Sequence, residues 1–462
     1  MTRSFTLTKA QHSALRSMLY PGDNLESAAI LICRFTGPQK ERLIVRDILN
    51  VPDGLCVHRS QDFIKWPGQC VEEAIDRAEP CGDAIILIHS HPGGMFEFSK
   101  HDNKSDRQTM PSLFEAINAD GFHHGSAIMT PNGAIKVRLY RKDGAIKGIA
   151  RVLSVGTDLR ELSANSNIPM AFGAQMTKAL KEQTACVVGV SGTGSLVAEL
   201  LARMGVGRLI LIDFDIMEPK NLNRIVNSTL QDAISNRSKV EMMAVAIRQY
   251  SPKVKVITIQ GSIEEVDAII AASAADIIFS CVDRMTGRSF AELLAQSCLI
   301  PLIDLGVTIP TRKDPAGISH IADVCGRIDY VWPGGPNLTD RNVVTPEGLR
   351  REYLETNAPE TAQRELDAGY LKGVHEEAPS VMALNMRVAG DAVLEWTTRL
   401  FNFRHDGNEG FARTLFSLAG GEIDYIGEAD FTLSEKIDLG RGLAQPLLGL
   451  PCMTTSTEKD AA

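Results

Sequence analysis

The feature that most limits what this chain can fold into is a series of short apolar runs in its middle. They lie at 185–190 (ACVVGV), 208–213 (RLILID), 255–260, 276–281 (DIIFSC) and 300–305. Helical patterns at 195–204 and 239–250 fall between some of them. A strand that is apolar throughout, rather than at every second residue, is buried on both faces. Alternation of such strands with helices predicts an α/β layer with a mostly parallel sheet.

The chain has 462 residues, too many for one ordinary core, and a prior of roughly 150 residues per domain points to two or three. Hydrophobic residues make up 44% and charged residues 23%, which argues against wholesale disorder. The pattern changes along the chain. Residues 1–157 mix short strands (25–35, LESAAILICRF; 84–89, AIILIH) with helices, one of them including 112–119. Residues 158–400 hold the parallel-sheet pattern, 386–401 reads as a closing amphipathic helix, and 401–462 is expected to extend this second half and end in a polar, frayed tail.

Net charge is -9, from 48 basic and 57 acidic side chains. Nucleic-acid binding needs clustered Lys and Arg, and the densest basic stretch, 138–147, is short and contains Asp143. No nucleic-acid partner is expected. The start, MTRSFT, lacks the apolar run of a signal peptide, and the longest apolar stretch, 269–281, is too short to cross a bilayer and is broken by Asp276. Nine scattered cysteines without a CxxC fit neither a disulfide framework nor a structural zinc cluster. The expectation is a cytoplasmic, reduced protein with no membrane partner.

Two stretches carry chemistry. The first is His89-Ser90-His91-Pro92, followed by Ser99 and Asp102. Two histidines one residue apart at a strand end point to the same face. Once Pro92-Gly93-Gly94 turns the chain back, Asp102 can join them around one metal. Two imidazoles and one carboxylate leave a fourth position open, as in catalytic rather than structural zinc sites. Glu26 is the best-placed general base, whereas His101, His123 and His124 read as ordinary polar residues. The spacing HxH-x7-S-x2-D with an upstream glutamate resembles the JAMM/MPN metallopeptidases over about 15–155. The resemblance implies Zn2+ on His89, His91 and Asp102, Glu26 as acid/base, Ser99 as a donor to the tetrahedral intermediate, and cleavage at the C-terminus of ubiquitin-like proteins.

The second is Gly189-Val190-Ser191-Gly192-Thr193-Gly194-Ser195, between a strand and a helix, where backbone N–H groups and a helix dipole can meet phosphate. Ser191 spoils a GxGxxG dinucleotide fingerprint, and no Lys-Ser/Thr pair follows for a Walker loop. Asp213 ends the next strand; Asn221, Arg224, Lys239 and Asp283 follow. That order, with Phe172-Gly173, Gly205-Val206-Gly207 and Asp213-Phe214-Asp215, resembles the ThiF/MoeB adenylating domains of ubiquitin-activating enzymes over about 170–400. It implies a Rossmann-like fold and ATP bound by Gly189, Gly192 and Gly194. Arg224 and Lys239 would neutralise phosphate charge, Asp213 would hold the ribose, Asn221 would contact phosphate or order Arg224, and Asp283 would hold Mg2+.

The implied substrate is the C-terminal carboxylate of a small ubiquitin-like or sulfur-carrier-like protein ending in glycine, with a conjugating enzyme as a further partner and a homodimer formed through the adenylation half. Together the two halves suggest a bifunctional enzyme of a bacterial modification pathway; activation of a sulfur carrier for cofactor synthesis, or a non-catalytic scaffold, are the alternatives. Several family features are missing. Arg284 stands where the family has Asn, and no arginine precedes Phe172-Gly173, where Ser166 and Asn167 stand and Arg160 is nearest. Pro333-Gly334-Gly335-Pro336 is followed by Asn337-Leu338-Thr339-Asp340 rather than a cysteine pair, so neither zinc nor a thioester is expected there. Cys186 and Cys281 are expected in the core, Cys325 as a packed thiol and Cys452 as exposed.

Overall fold

The computed structural model describes residues 4–164, 168–367, 381–434 and 438–453. The chain divides into two units, Met1–Asn167 with Ser297–Leu299 and Asp438–Ala462, and Ile168–Gln296 with Ile300–Ile437.

In the first unit β1 (Ser4–Thr8) leads into α1 (Lys9–Leu19), then β2 (Ala28–Thr36) and β3 (Arg42–Asn50). A small hairpin of β4 (His58–Arg59) and β5 (Ile64–Lys65) precedes α2 (Gln69–Ala78) and β6 (Ala84–Ser90). Then come α3 (Lys100–Ala116), β7 (Gly125–Met129), β8 (Ile135–Tyr140), β9 (Ile146–Gly148), β10 (Arg151–Val155) and β11 (Leu159–Glu161). Nine strands form one mixed sheet in the order β11-β10-β1-β3-β2-β6-β7-β8-β9. β2 and β6 pair antiparallel and β6 and β7 parallel.

Alternate residues of the central strands feed two cores. Ala29, Leu31, Cys33, Ile86 and Ile88 join Leu15 and Leu19 of α1. Ala28, Ile30, Ile32, Ile85 and Leu87 join Ala74 of α2 and Leu113 and Phe114 of α3. With both faces covered, residues 28–33 of β2 and 84–88 of β6 are apolar without interruption.

The helix expected to include 112–119 begins much earlier, at Lys100, and ends at Ala116. Its first ten residues, KHDNKSDRQT, carry no apolar stripe, and its start is set instead by a capping box between Ser99 and Asp102. The described residues after 400 divide. By sequence all of 401–462 belongs with the second half, but 438–453 packs on the first unit. Gly440 and Gly442 have positive φ and lie against Arg46 and Arg34, where a side chain would collide, and Arg34 Nη1 donates to the Arg441 carbonyl. The tail beyond 453, and Ser166 and Asn167, lie outside the described residues.

In the second unit α4 (Ala174–Lys181) precedes β12 (Thr184–Val188), α5 (Gly192–Met204), β13 (Arg208–Ile212), α6 (Leu230–Ile234), α7 (Lys239–Tyr250), β14 (Lys255–Ile259), α8 (Val266–Ala272), β15 (Ile277–Ser280), α9 (Met285–Ser297) and β16 (Leu302–Thr308). The hairpin β17 (Thr311–Lys313) and β18 (Ser319–Ile321) follows, then β19 (Cys325–Val331), α10 (Pro346–Asn357), α11 (Pro359–Asp367), α12 (Met382–Phe401), β20 (Arg413–Ser417) and β21 (Glu422–Ile426). The sheet order is β14-β13-β12-β15-β16-β19-β20-β21. Its first five strands are parallel, and β19 to β21 add an antiparallel wing. From β12 the chain winds out to β13 and β14 on one side and to β15 and β16 on the other. The crevice between β12 and β15 is therefore the topological switch point, where open α/β sheets bind ligands. Among the described residues no helix is long and apolar enough to cross a membrane.

His123 and His124, expected as ordinary polar residues, are buried. Burial, with the neighbouring His124 and Lys40, pushes the His123 imidazole down from 6.5 to about 3. The folded state keeps it neutral where the unfolded chain is already protonated. Its contribution is full above pH 6.5 and is lost as the pH falls toward 3; at pH 5 the loss is about 2 kcal/mol. Thermal unfolding of the full chain between pH 7.5 and 5 should show a smaller drop in His123→Phe than in the wild type. Equal slopes would refute this.

Candidate functional sites

His89 is the penultimate residue of β6, and His91 follows its end. The strand is locked to β2 just before this point. Ser27 N donates to Ser90 Oγ at 2.9 Å, and Ser90 N to the Ser27 carbonyl at 2.9 Å. Gly94, at φ +77, turns the chain back, and its N–H donates to the His91 carbonyl. The first turn of α3 then brings in Asp102. The two Nε2 atoms are 3.1 Å apart; Asp102 Oδ1 is 3.2 Å from His89 Nε2, and Oδ2 is 3.5 Å from His91 Nε2. Glu26, two residues before β2, closes the group: one ligand atom each from Glu26, His89 and His91 lies within 4.8 Å of the others.

His91 Nδ1–H donates to the Met95 carbonyl at 2.7 Å, which turns its Nε2 inward toward His89 and Asp102. Burial raises the Asp102 carboxyl, but hydrogen bonds from His89 and His91 outweigh it and hold it well below the usual carboxylate range. Burial pushes the Glu26 carboxyl up to about 7, against the pull of both histidines. Two inward imidazole Nε2 atoms, one ionised carboxylate and a nearby protonatable carboxyl fit Zn2+ with an open position, the ion taking the place of the Nε2 protons. Ser99 caps α3: its Oγ accepts from Asp102 N at 3.1 Å, and Asp102 Oδ2 accepts from Ser99 N at 2.6 Å. Ser99 thus orients the Asp102 carboxylate, and its O–H proton remains available to donate.

In the second unit Gly189, at φ +84, follows directly on β12, and a Cβ there would lie 3.0 Å from the Cys281 carbonyl after β15. A Cβ on Gly194 would lie 1.7 Å from the Gly189 carbonyl oxygen. These two glycines let the loop and the first turn of α5 close on the switch point. Ser191, in place of a glycine, sits at φ -99, where a side chain is tolerated. Its side chain makes no capping bond, so the N-terminal N–H groups of α5 are not capped by it.

Asp213, at the end of β13, accepts from Val190 N at 2.7 Å and from Asp215 N at 2.9 Å. Burial raises its carboxyl, while Lys239 and those two N–H groups pull it back. Lys239, the first residue of α7, is buried, with Nζ 2.5 Å from Asp215 Oδ2. Asn221 is buried, and its Oδ1 accepts from Glu218 N while its carbonyl accepts from Arg224 N. Val226 N donates to Ser195 Oγ at 3.3 Å, which sets the turn carrying Arg224 against the start of α5. Asp283 is exposed, in the loop after β15.

Residues 163–328 match the ThiF family profile, and residues 8–140 match that of the prokaryotic homologs of the JAB domain. The chain joins a JAB-like domain to a ThiF domain. Around the ThiF domain it is similar to the ubiquitin-like modifier-activating enzyme 5 of Bombyx mori, with 34% identity over 191 residues, 37% of this chain and 45% of that one. The enzyme of the same name from Drosophila willistoni is 37% identical over 192 residues, again 37% of this chain and 44% of that one. The chain spans less than half the length of these curated relatives. Among solved structures, Escherichia coli MccB aligns with a TM-score of 0.42 at 15% identity, over 55% of this chain and 64% of that one.

The JAB-like domain brings four of its five expected residues, Glu26, His89, His91 and Asp102, together, with the fifth, Ser99, at the edge. In the ThiF domain, Gly189, Gly192, Gly194, Asp213 and Lys239 meet at the switch point. Arg224 stands on the neighbouring turn, half-buried, its Nη1 donating to the Lys220 carbonyl at 3.3 Å. Asp215 had no role assigned from sequence; its spacing of two from Asp213, at a strand end, was the available signal. Glu352 of α10 was also missed. Its carboxylate accepts from Met285 N and Thr286 N and caps α9 just after Asp283. It lies far away in sequence, so only the fold reveals it. Cys186 packs in the core as expected, whereas Cys281, just past the end of β15, is only half-buried as a residue; burial raises both thiols, and Cys452 is exposed. Burial and Asp323 raise the Cys325 thiol, which makes it a poor nucleophile.

Gly194→Ala must displace the Gly189 carbonyl and should destabilise the ThiF domain by more than about 2 kcal/mol. Thermal denaturation with and without ATP checks this; a wild-type profile would show that the loop is not closed as described.

Proposed function

We propose that the ThiF domain adenylates the C-terminal carboxylate of a ubiquitin-like protein ending in glycine, using ATP and Mg2+. The observation that supports this best is the closed glycine loop at the switch point, with Asp213 and buried Lys239 beside it. The substrate carboxylate attacks the α-phosphorus; a new P–O bond forms, the α–β bond breaks, and pyrophosphate leaves. Positioning and charge neutralisation are the protein's work in such a step. The N–H groups of the loop and of the start of α5 hold phosphate oxygens, Asp213 accepts from the ribose, and Arg224 and Lys239 offset charge developing on phosphate. Lys239 must be drawn from Asp215 to do so. Asn221 orders the turn that aims Arg224, and Asp283 would hold Mg2+, which needs few carboxylates. No cysteine stands in the Pro333-Gly334-Gly335-Pro336 segment to take over the product, which favours the acyl-adenylate itself as what this chain delivers.

The JAB-like domain, on the same reading, cleaves at the modifier's C-terminus. His89, His91 and Asp102 would hold Zn2+, which supplies a water that ionises near neutral pH. Glu26 takes the proton of the attacking water and returns it to the leaving amine, and Ser99 donates to the tetrahedral oxygen. Both domains would then act on one carboxyl end, and the chain would act alongside a modifier and a conjugating enzyme.

Pyrophosphate exchange into ATP, driven by a small glycine-ended protein, tests the first activity. Lys239→Ala and Asp283→Ala should each lower it roughly 100-fold; no exchange with any such protein, or unchanged exchange in both variants, would sink the assignment. Cleavage of a modifier extended beyond its terminal glycine tests the second. Glu26→Gln should keep zinc yet lose roughly 100-fold in rate, and a variant as fast as wild type would remove Glu26 from the chemistry.

A further inference from the structure

Arg138 belongs to the densest basic stretch of the sequence, yet it is buried on β8. Its guanidinium touches the chain on both sides of the Ser99–Asp102 cap. The Phe98 ring, immediately before Ser99, lies 3.6 Å from Cζ. Asn103, immediately after Asp102, accepts from Nη1 through Oδ1 at 2.6 Å. One turn further along α3, Asp106 Oδ2 accepts from Nη2 at 2.7 Å and from Nε at 3.2 Å.

The same carboxylate oxygen accepts from Tyr140 OH at 2.7 Å and from Ser126 Oγ, while Arg138 Nε also donates to Ser126 Oγ at 2.9 Å. Ser126 faces Arg138 across the β7–β8 pair, and β7 pairs with β6, the strand that carries His89. A closed circuit therefore runs from the histidines through β6, β7 and β8 to Arg138, and from Arg138 to the helix turn that holds Asp102.

We propose that Arg138, with Asp106, is a positioning residue for the metal centre: it clamps the first two turns of α3 to the sheet and so fixes Asp102 against His89 and His91. This rests on the zinc reading of those three residues. A cap alone sets the local conformation at Ser99 and Asp102, but it does not set where the helix stands relative to β6. A guanidinium whose Nη1, Nη2 and Nε reach Asn103 and Asp106 of the helix, with its face on Phe98 just before the cap, does so, and a lysine at that position would not reach them all.

The test uses the full chain. Zinc affinity is measured by competition with a chromophoric chelator, and ligand geometry by the visible absorption of the Co2+-substituted protein. Arg138→Met should weaken zinc roughly tenfold or more and change the cobalt spectrum, and the milder Asn103→Ala should weaken it in the same direction. Because Arg138→Met leaves Asp106 buried and unpaired, the double variant Arg138→Met with Asp106→Leu is included. A purely stabilising ion pair would be replaced by that apolar pair with zinc affinity restored; a positioning role leaves affinity low while melting temperature recovers. Pyrophosphate exchange in Asn103→Ala should stay at the wild-type level, as a check on the second unit. Zinc affinity and cobalt spectrum within about twofold of wild type in Asn103→Ala and in the double variant would overturn the inference. A wild-type protein that takes up no zinc would instead overturn the metal reading itself, and this inference with it.

Discussion

Burial of the central strands on both faces governs where chemistry can occur in this chain. Along 28–33, 84–88, 185–188 and 277–279, within β2, β6, β12 and β15, every side chain is buried and apolar, so an unpaired polar group there would go without water. The strand ends are the nearest places where an imidazole or carboxylate can be held rigidly and still reach a ligand. His89 and His91 at the end of β6, Gly189 at the end of β12, Asp213 at the end of β13 and Asp283 after β15 all stand in such positions. Two unrelated sheets, one mixed and one largely parallel, arrive at the same solution for the same reason.

Economy of atoms is evident at the metal site. The S-x-x-D spacing that resembles a peptidase motif is also a helix capping box, in which each side chain accepts the other's backbone N–H. Caps of this kind contribute about 1 kcal/mol. Here the cap also holds Asp102 in one rotamer with its oxygens toward the histidines. Loss of Ser99 would thus affect helix and ligand together, and kinetics alone would not separate the two effects. In the second unit the glycines do comparable double service, since the backbone approach that closes the fold also places N–H groups where phosphate can meet them.

The five parallel strands of the second unit were legible because they are short apolar runs, four to seven residues long in the structure, a signal that survives without any knowledge of partners. The HxH pair was legible because strand alternation makes two histidines share a face. The start of α3 was not, since KHDNKSDRQT shows no stripe and the helix is anchored by Arg138 and by its cap rather than by burial of its first turns. Arg138 stood out in the sequence only as part of a short basic stretch, because its partners, Phe98, Asn103, Asp106 and Ser126, lie elsewhere in the chain. Glu352 and the 438–453 segment were hidden for the same reason, their partners lying far along the chain. His123 and His124 were misjudged because an imidazole has no single hydropathy, and only the packing of Phe35 and Phe114 around them shows which side they take.

The return of 438–453 to the first unit bears on how the chain is made. A ribosome releases the nine strands of the first unit well before it reaches Gly440 and Arg441, because the bulk of the second unit lies between. At 5–20 residues per second that interval is roughly fifteen seconds to a minute. Throughout it, Arg34 lacks the Arg441 carbonyl it is built to meet, and the strip of β3 around Arg46 is uncovered. The nascent first unit therefore waits, nearly complete, for its final segment.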